Sequence, residues 1–339
     1  MKRCLQTGAT GLLIALVVLC GVTQAQRFKA TRVDAPGFTV SDMDRAMDFY
    51  SRVLHFRKAS NQRLSDARVV RMQLGDEQIE LTQYDAKGQP FPTNSRGNDH
   101  WFQHIAVVVS DMQKAYAVLR QNRVRHASSA PQRLPDWNPN AAGIEAFYFR
   151  DPDGHYLELI YFPPGKGDPK WQRPSQELFL GIDHTAIVVA DTDQTLRFYR
   201  ELLGMRVAGE SENYGVEQEH LNGVFGAHLR ITSLRAEQGP GIELLEYLSP
   251  SDGREVPADL RANDIAHWET RVEFEGDVHD ALAAARDAHI RLVSRTSDDP
   301  QGEFVVQDPD RHAVIFHFAK PNAGSRITSA TQAKAGEKQ

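Results

Sequence analysis

Apolar residues along the chain fall into two alternating patterns. Short β-branched runs such as HIAVVVSD (His104 to Asp111) and HTAIVVAD (His184 to Asp191) predict buried strands, and the aspartate closing each run would cap a following helix. Helical spacing comes next: Met43, Ala46, Met47, Phe49, Tyr50 and Leu54 form one apolar stripe, with Ser41 or Asp42 as its cap. The same spacing recurs from Met112 to Leu119, from Leu196 to Leu203 and from Val278 to Ala288. After each helix the pattern predicts about three strands, closing at turn signals such as Gly75-Asp76 and Asp153-Gly154. The reading is α+β: four βαβββ modules, near residues 33–85, 102–162, 182–248 and 265–318.

The modules are copies. Ser41 to Phe56 matches Ala190 to Met205, with a Phe-Tyr pair in register; Ile79 to Tyr84 (IELTQY) matches Ile242 to Tyr247 (IELLEY); DPDGH at Asp151 to His155 matches DPDRH at Asp308 to His312. These matches define a tandem duplication of two-module domains, 30–162 and 179–319, joined by a Pro- and Gly-rich linker, 163–178. The tail, 320–339, lacks apolar periodicity and reads as disordered.

Composition changes the picture mainly at the N-terminus. Lys2 and Arg3 precede an apolar run, Gly11 to Val22, too short to span a bilayer, and Thr23-Gln24-Ala25 offers small residues for a signal peptidase. Residues 1–25 therefore read as a signal peptide cleaved after Ala25, with a periplasmic or secreted mature chain and no membrane partner after cleavage. A lipoprotein reading at Cys20 is weaker because bulky Leu19 precedes it. Both cysteines, Cys4 and Cys20, lie in this segment, so a metal site in the mature chain would draw on His, Asp and Glu. Without Lys2 and Arg3, 37 basic residues face 45 acidic ones, a net charge of −8. That balance, with no basic run among aromatics, argues against nucleic acid as a partner.

Four βαβββ modules with a strand-initial His, an IEL strand and a DPDG turn leading into LELI resemble the vicinal oxygen chelate superfamily, the glyoxalase, bleomycin resistance and extradiol dioxygenase group. The resemblance implies two tandem domains of that type and a monomer with internal pseudo-dimer symmetry. It also implies a cup formed by two facing modules that holds a divalent metal (Zn, Ni, Co, Mn or Fe) and a small-molecule substrate. Ligands would come from the head of each first strand and from each last strand: Ala35 and Glu80, His104 and Glu158, His184 and Glu243, His267 and Ile315.

Ala35 and Ile315 break that pattern. Pairing neighbouring modules gives two three-ligand cups: Glu80, His104 and Glu158, and His184, Glu243 and His267. Pairing the two middle modules instead gives one complete set, His104, Glu158, His184 and Glu243, and leaves Glu80 and His267 as remnants or an alternative site. One intact and one decayed cup is the simpler pattern. Two imidazoles and two carboxylates would neutralise a divalent cation and leave octahedral positions for substrate. Glu158 or Glu243 would then move a proton next to a carbonyl, with Glu158 favoured by the resemblance.

Three functions are consistent with this reading: a glyoxalase-like lyase or isomerase, a non-haem iron extradiol-type dioxygenase, and a non-catalytic resistance-type binding protein. Among other residues, His155 and His312 read as surface or turn residues following the DPD turns, and the four aspartates of those turns as turn formers rather than calcium ligands. His220 and His228 flank LNGVFGA, which would form either a mobile wall over the cup or a plain loop. Trp137 would line a pocket or anchor its Pro-rich loop.

Overall fold

The computed structural model describes residues 28–295 and 303–318. The segment read as a signal peptide, both cysteines and the tail from 320 lie outside the described residues. Among the described residues no helix is long and apolar enough to cross a membrane.

Each module begins with a strand (Ala30–Thr39, Gln103–Val109, Phe179–Val189, Trp268–Phe274). A helix follows, starting at Met43, Met112, Thr192 and Val278. Asp42, Asp111, Asp191 and Asp277 cap these helices, each carboxylate accepting a backbone N–H of the first turn and satisfying a donor that has no intrahelical partner. In modules 1 and 3 the helix runs on into a π-helical turn, Phe49–Val53 and Arg197–Leu202, which carries the repeated Phe-Tyr pair.

The strands assemble into two sheets, and the pairing skips sequence neighbours. Modules 1 and 4 form an eight-stranded sheet whose first strands lie antiparallel at its centre. Modules 2 and 3 form a nine-stranded sheet, centred on Gln103–Val109 against Phe179–Val189. The apolar cores cross this arrangement. One core joins Met43, Tyr50 and Leu54 of module 1 to Ile105, Phe147 and Leu157 of module 2, and another joins Ile187, Tyr199 and Leu244 of module 3 to Leu282, Phe304 and Phe316 of module 4. Each module therefore shares its core with its sequence neighbour and its sheet with the other half, so neither half is closed alone.

Two equivalent clamps tie these layers together. His155 donates Nδ1–H to Asp151 (2.8 Å) and Nε2–H to the Ile265 carbonyl (2.7 Å), while the Tyr50 hydroxyl reaches the same carboxylate at 3.2 Å. His312 repeats this with Asp308 (2.9 Å), the His100 carbonyl (2.8 Å) and Tyr199 (3.2 Å). Both histidines are buried, which corrects their reading as surface residues: they do follow the DPD turns, but those turns are packed beneath tyrosines about a hundred residues earlier. With both ring nitrogens donating, each imidazole is cationic. Burial alone would lower their pKa values, but the adjacent carboxylates outweigh it and hold both above the ordinary 6.5.

Candidate metal centre

The middle sheet places the candidate ligands by register. Along it, Ala106 pairs with Glu158 and Ala186 with Glu243, while His184 lies opposite Ala106 and His104 opposite Ala186. The two histidines and two glutamates thus occupy adjacent rows on one face of the sheet. Ligand atoms of His104, Glu158 and His184 all lie within 4.8 Å of one another, and all three residues are buried. His104 Nε2 is 3.1 Å from Glu158 Oε2, and His184 Nε2 is 3.4 Å from the same oxygen. Glu243 stands slightly apart: its Oε2 is 3.5 Å from His184 Nε2, and its other oxygen accepts a hydrogen bond from Ser233 at 2.8 Å.

Two features of this cluster fit a cation. His184 Nε2, which faces Glu158 and Glu243, is buried without a hydrogen-bond partner, a costly state that metal coordination would relieve. Burial would raise Glu158, yet His104 and His184 lower it below the ordinary carboxylate value, so it stays ionised among apolar neighbours. Burial lowers His184, but Glu243, Asp183 and Glu158 outweigh this and raise it well above 6.5, so without a cation it holds a proton that metal binding would displace.

The cluster lies on the wall of a cavity of about 560 Å³. Glu158, His184 and Glu243 line it, together with Tyr148, whose phenol is raised well above 10 by burial and by Glu158. Gln218, 2% exposed, also lines it: its Nε2 binds Asn222, which in turn binds Tyr247, and its Oε1 is unpaired. Gly167, Asp168 and Pro169 bring the interdomain linker into the wall, beside Phe162.

The remaining expectations fall elsewhere. Glu80 is bound by Arg71 at 2.9 Å and by Arg271 at 3.4 Å, and Arg271 also pairs with Glu303. A guanidinium thus supplies the positive charge in the outer cup. His267 faces Glu269 at 3.6 Å. Register corrects its assignment: Arg271 pairs with Ile315 as Ala186 does with Glu243, so the position matching His184 is Glu269, two residues later. LNGVFGA contributes Leu221 to the cavity, whereas Phe225 is 91% exposed. His228 bonds Glu212, and Trp137 stacks on Tyr214 at 4.4 Å. Sequence reading missed Asp183, Arg235, Ser233, Tyr148 and Gln218.

The chain matches the sequence model of the Glyoxalase/Bleomycin resistance protein/Dioxygenase superfamily over residues 32–159 and 181–316, and it belongs to that superfamily. It is 30% identical over 155 residues to a 2-epi-5-epi-valiolone epimerase of Actinomyces sp., covering 40% of this chain and 82% of that one. To a lactoylglutathione lyase of Arabidopsis thaliana it is 25% identical over 217 residues, 62% of this chain and 67% of the other. Among solved structures, a glyoxalase I variant from Zea mays has the same fold, with a TM-score of 0.59 and 15% identity over 86% of this chain and 92% of its own.

Proposed function

We propose that the protein is a metal-dependent lyase or isomerase that moves a proton next to a carbonyl, with His104, Glu158 and His184 holding a divalent ion and Glu243 carrying the proton. The observation that carries this reading is the buried His104–Glu158–His184 cluster, with an unpartnered His184 Nε2, on the wall of a cavity of substrate size. When bound, the ion would polarise substrate oxygens and acidify the adjacent C–H. Glu158 is the poorer base because two imidazoles lower its proton affinity. Glu243 lies outside the tight group, lines the same cavity and is oriented by Ser233. The base therefore shifts from Glu158, favoured by the family resemblance, to Glu243. Tyr148 is neutral at ordinary pH and offers a hydroxyl near Glu158. The relatives named as an epimerase and as a lyase agree with this class.

The test is deuterium exchange at the carbon beside the carbonyl of hydroxyacetone, followed by NMR in D2O with zinc-loaded protein. Glu243→Gln is expected to keep the metal and lose at least ~100-fold in exchange rate. Glu158→Gln is expected to lose the metal. Full exchange activity in Glu243→Gln would refute the assignment.

The tight group also supports a second reading. Two histidines and one carboxylate form the ligand set of non-haem iron oxygenases. Iron-loaded protein that consumes oxygen with catechol, and does so equally well as Glu243→Gln, would favour that reading. Tight binding without turnover of any substrate would favour a resistance-type binding role. Export rests on the Lys2-Arg3, apolar-run and Thr23-Gln24-Ala25 pattern, and N-terminal sequencing of protein from a periplasmic fraction tests it, with Gln26 expected as the first residue.

A further inference from the structure

Adjacent residues on a strand normally point to opposite faces. At Ile182/His184 the register against the neighbouring strand slips, and both Asp183 and His184 line the cavity. The irregularity turns Asp183 onto the same side as the ligand that follows it. On the partner strand no slip occurs beside His104, and Gln103 bonds away from the cluster, to Thr185 and Thr270.

Asp183 is 6% exposed, and its contacts converge on it. Its Oδ2 lies 3.0 Å from His184 Nδ1. Arg235 Nη2 donates to both carboxylate oxygens, at 2.8 and 2.9 Å, and Arg235 Nη1 donates to the Asp183 carbonyl at 2.8 Å. The Trp171 indole N–H donates to Oδ1 at 2.9 Å. Trp171 comes from the linker, and its position is itself held. The Lys170 ammonium lies 4.2 Å from its ring centroid and bonds Glu77, a buried carboxylate of module 1 that also accepts the Ile182 N–H at 3.1 Å. A Cβ at Gly181 would come within 2.8 Å of the indole and 2.4 Å of the Glu77 carboxylate, so only glycine lets this group close up.

We propose that Asp183 is a positioning residue that fixes His184 with its proton on Nδ1 and its Nε2 lone pair toward the metal, and that linker residue Trp171 belongs to the same device. The proposal rests on the metal reading given above. A carboxylate that accepts the far N–H of a ligating imidazole fixes its tautomer and raises its donor strength. His104 has no such partner, because its Nδ1 is unpaired. The two histidines are therefore unequal ligands: His184 is anchored from behind, through the linker, to the outer sheet.

Zinc affinity, measured by competition with a chromophoric chelator, tests this in wild type, Asp183→Asn and Trp171→Phe. Expected losses are about 10- to 100-fold for Asp183→Asn and smaller for Trp171→Phe, which retains the carboxylate and its bonds to Arg235. Circular dichroism melts of the zinc-free proteins separate this loss from unfolding. Nitrogen-15 NMR of histidine-labelled, zinc-loaded wild type should show a slowly exchanging His184 Nδ1–H that is absent in Asp183→Asn. Unchanged zinc affinity in a folded Asp183→Asn, or zinc-bound His184 carrying its proton on Nε2, overturns the proposal. Failure of the wild type to bind zinc overturns the metal reading and this proposal with it.

Discussion

Replacing His155 with leucine tests how the two halves are held together. The change removes the Nδ1–H to Asp151 and the Nε2–H to the Ile265 carbonyl, both from a ring that is 0% exposed and packed between Phe38 and Trp268. Breaking a buried ion pair from one side costs about 3–5 kcal/mol. Asp151 keeps part of its support, because Oδ1 still accepts the N–H groups of Asp153 and Gly154, at 2.9 and 2.7 Å, and Oδ2 keeps Tyr50. The ion-pair contribution therefore falls at the lower end, while the unpaired Ile265 carbonyl adds roughly 1 kcal/mol. The expected loss is about 3–4 kcal/mol near pH 6.

The pH dependence gives this prediction its sign. The folded pKa of His155 is raised, so its contribution is complete below the unfolded value near 6.5 and disappears as pH rises through the folded value. Asp151 is lowered, so its contribution is present above the unfolded carboxylate range and lost only as pH falls through its folded value. Near pH 6 both groups are charged. Urea unfolding of wild type and His155→Leu, followed by both tryptophan fluorescence and circular dichroism, should show a stability gap that is widest near pH 6 and narrows in alkali. His312 titrates in both proteins and cancels in the difference. A gap that does not change with pH, or one below about 1 kcal/mol, would refute the assignment of a buried imidazolium.

Two further changes probe the fold. Arg271→Met in the outer cup leaves buried Glu80 and half-buried Glu303 with fewer cations and should destabilise by about 2–3 kcal/mol, moderated because Arg71 stays on Glu80 and His317 on Glu303; adding Glu80→Gln should recover part of the loss in thermal melts. Asp111→Ala, which removes the side-chain bond to the Lys114 N–H at 2.9 Å, should cost about 1 kcal/mol by the same measurement and leave metal content unchanged.

Much of this architecture was legible in the sequence because duplication prints each module more than once. The capping aspartates, the Phe-Tyr pairs and the DPD turns marked the modules, and the substitutions at Ala35 and Ile315 favoured the pairing of the middle modules that the strand order shows. His267 was misplaced for a physical reason: a shift of two residues leaves every side chain on the same face of a strand, so alternation cannot detect it. Counting back from the helix caps would have helped. The strand-head position stands seven residues before the cap at Ala35, His104 and His184, and seven before Asp277 falls at Thr270, next to Glu269. Asp183 was hidden because alternation assigns a ligand's neighbour to the opposite face, and only the register slip turns it inward. An aspartate does precede the strand-head position in modules 1 and 3, as Asp34 and Asp183, and both sit at register shifts, so the repeat carried a trace of it. The burial of His155 and His312 was not legible because the tyrosines above them are distant in sequence.

The most direct test of the central claim, that the middle modules share one metal site, is metal content after zinc loading and dialysis. Wild type should retain about one ion per chain, His184→Ala should retain none, and His267→Ala should match wild type. Zinc retained by His184→Ala and lost from His267→Ala would contradict it.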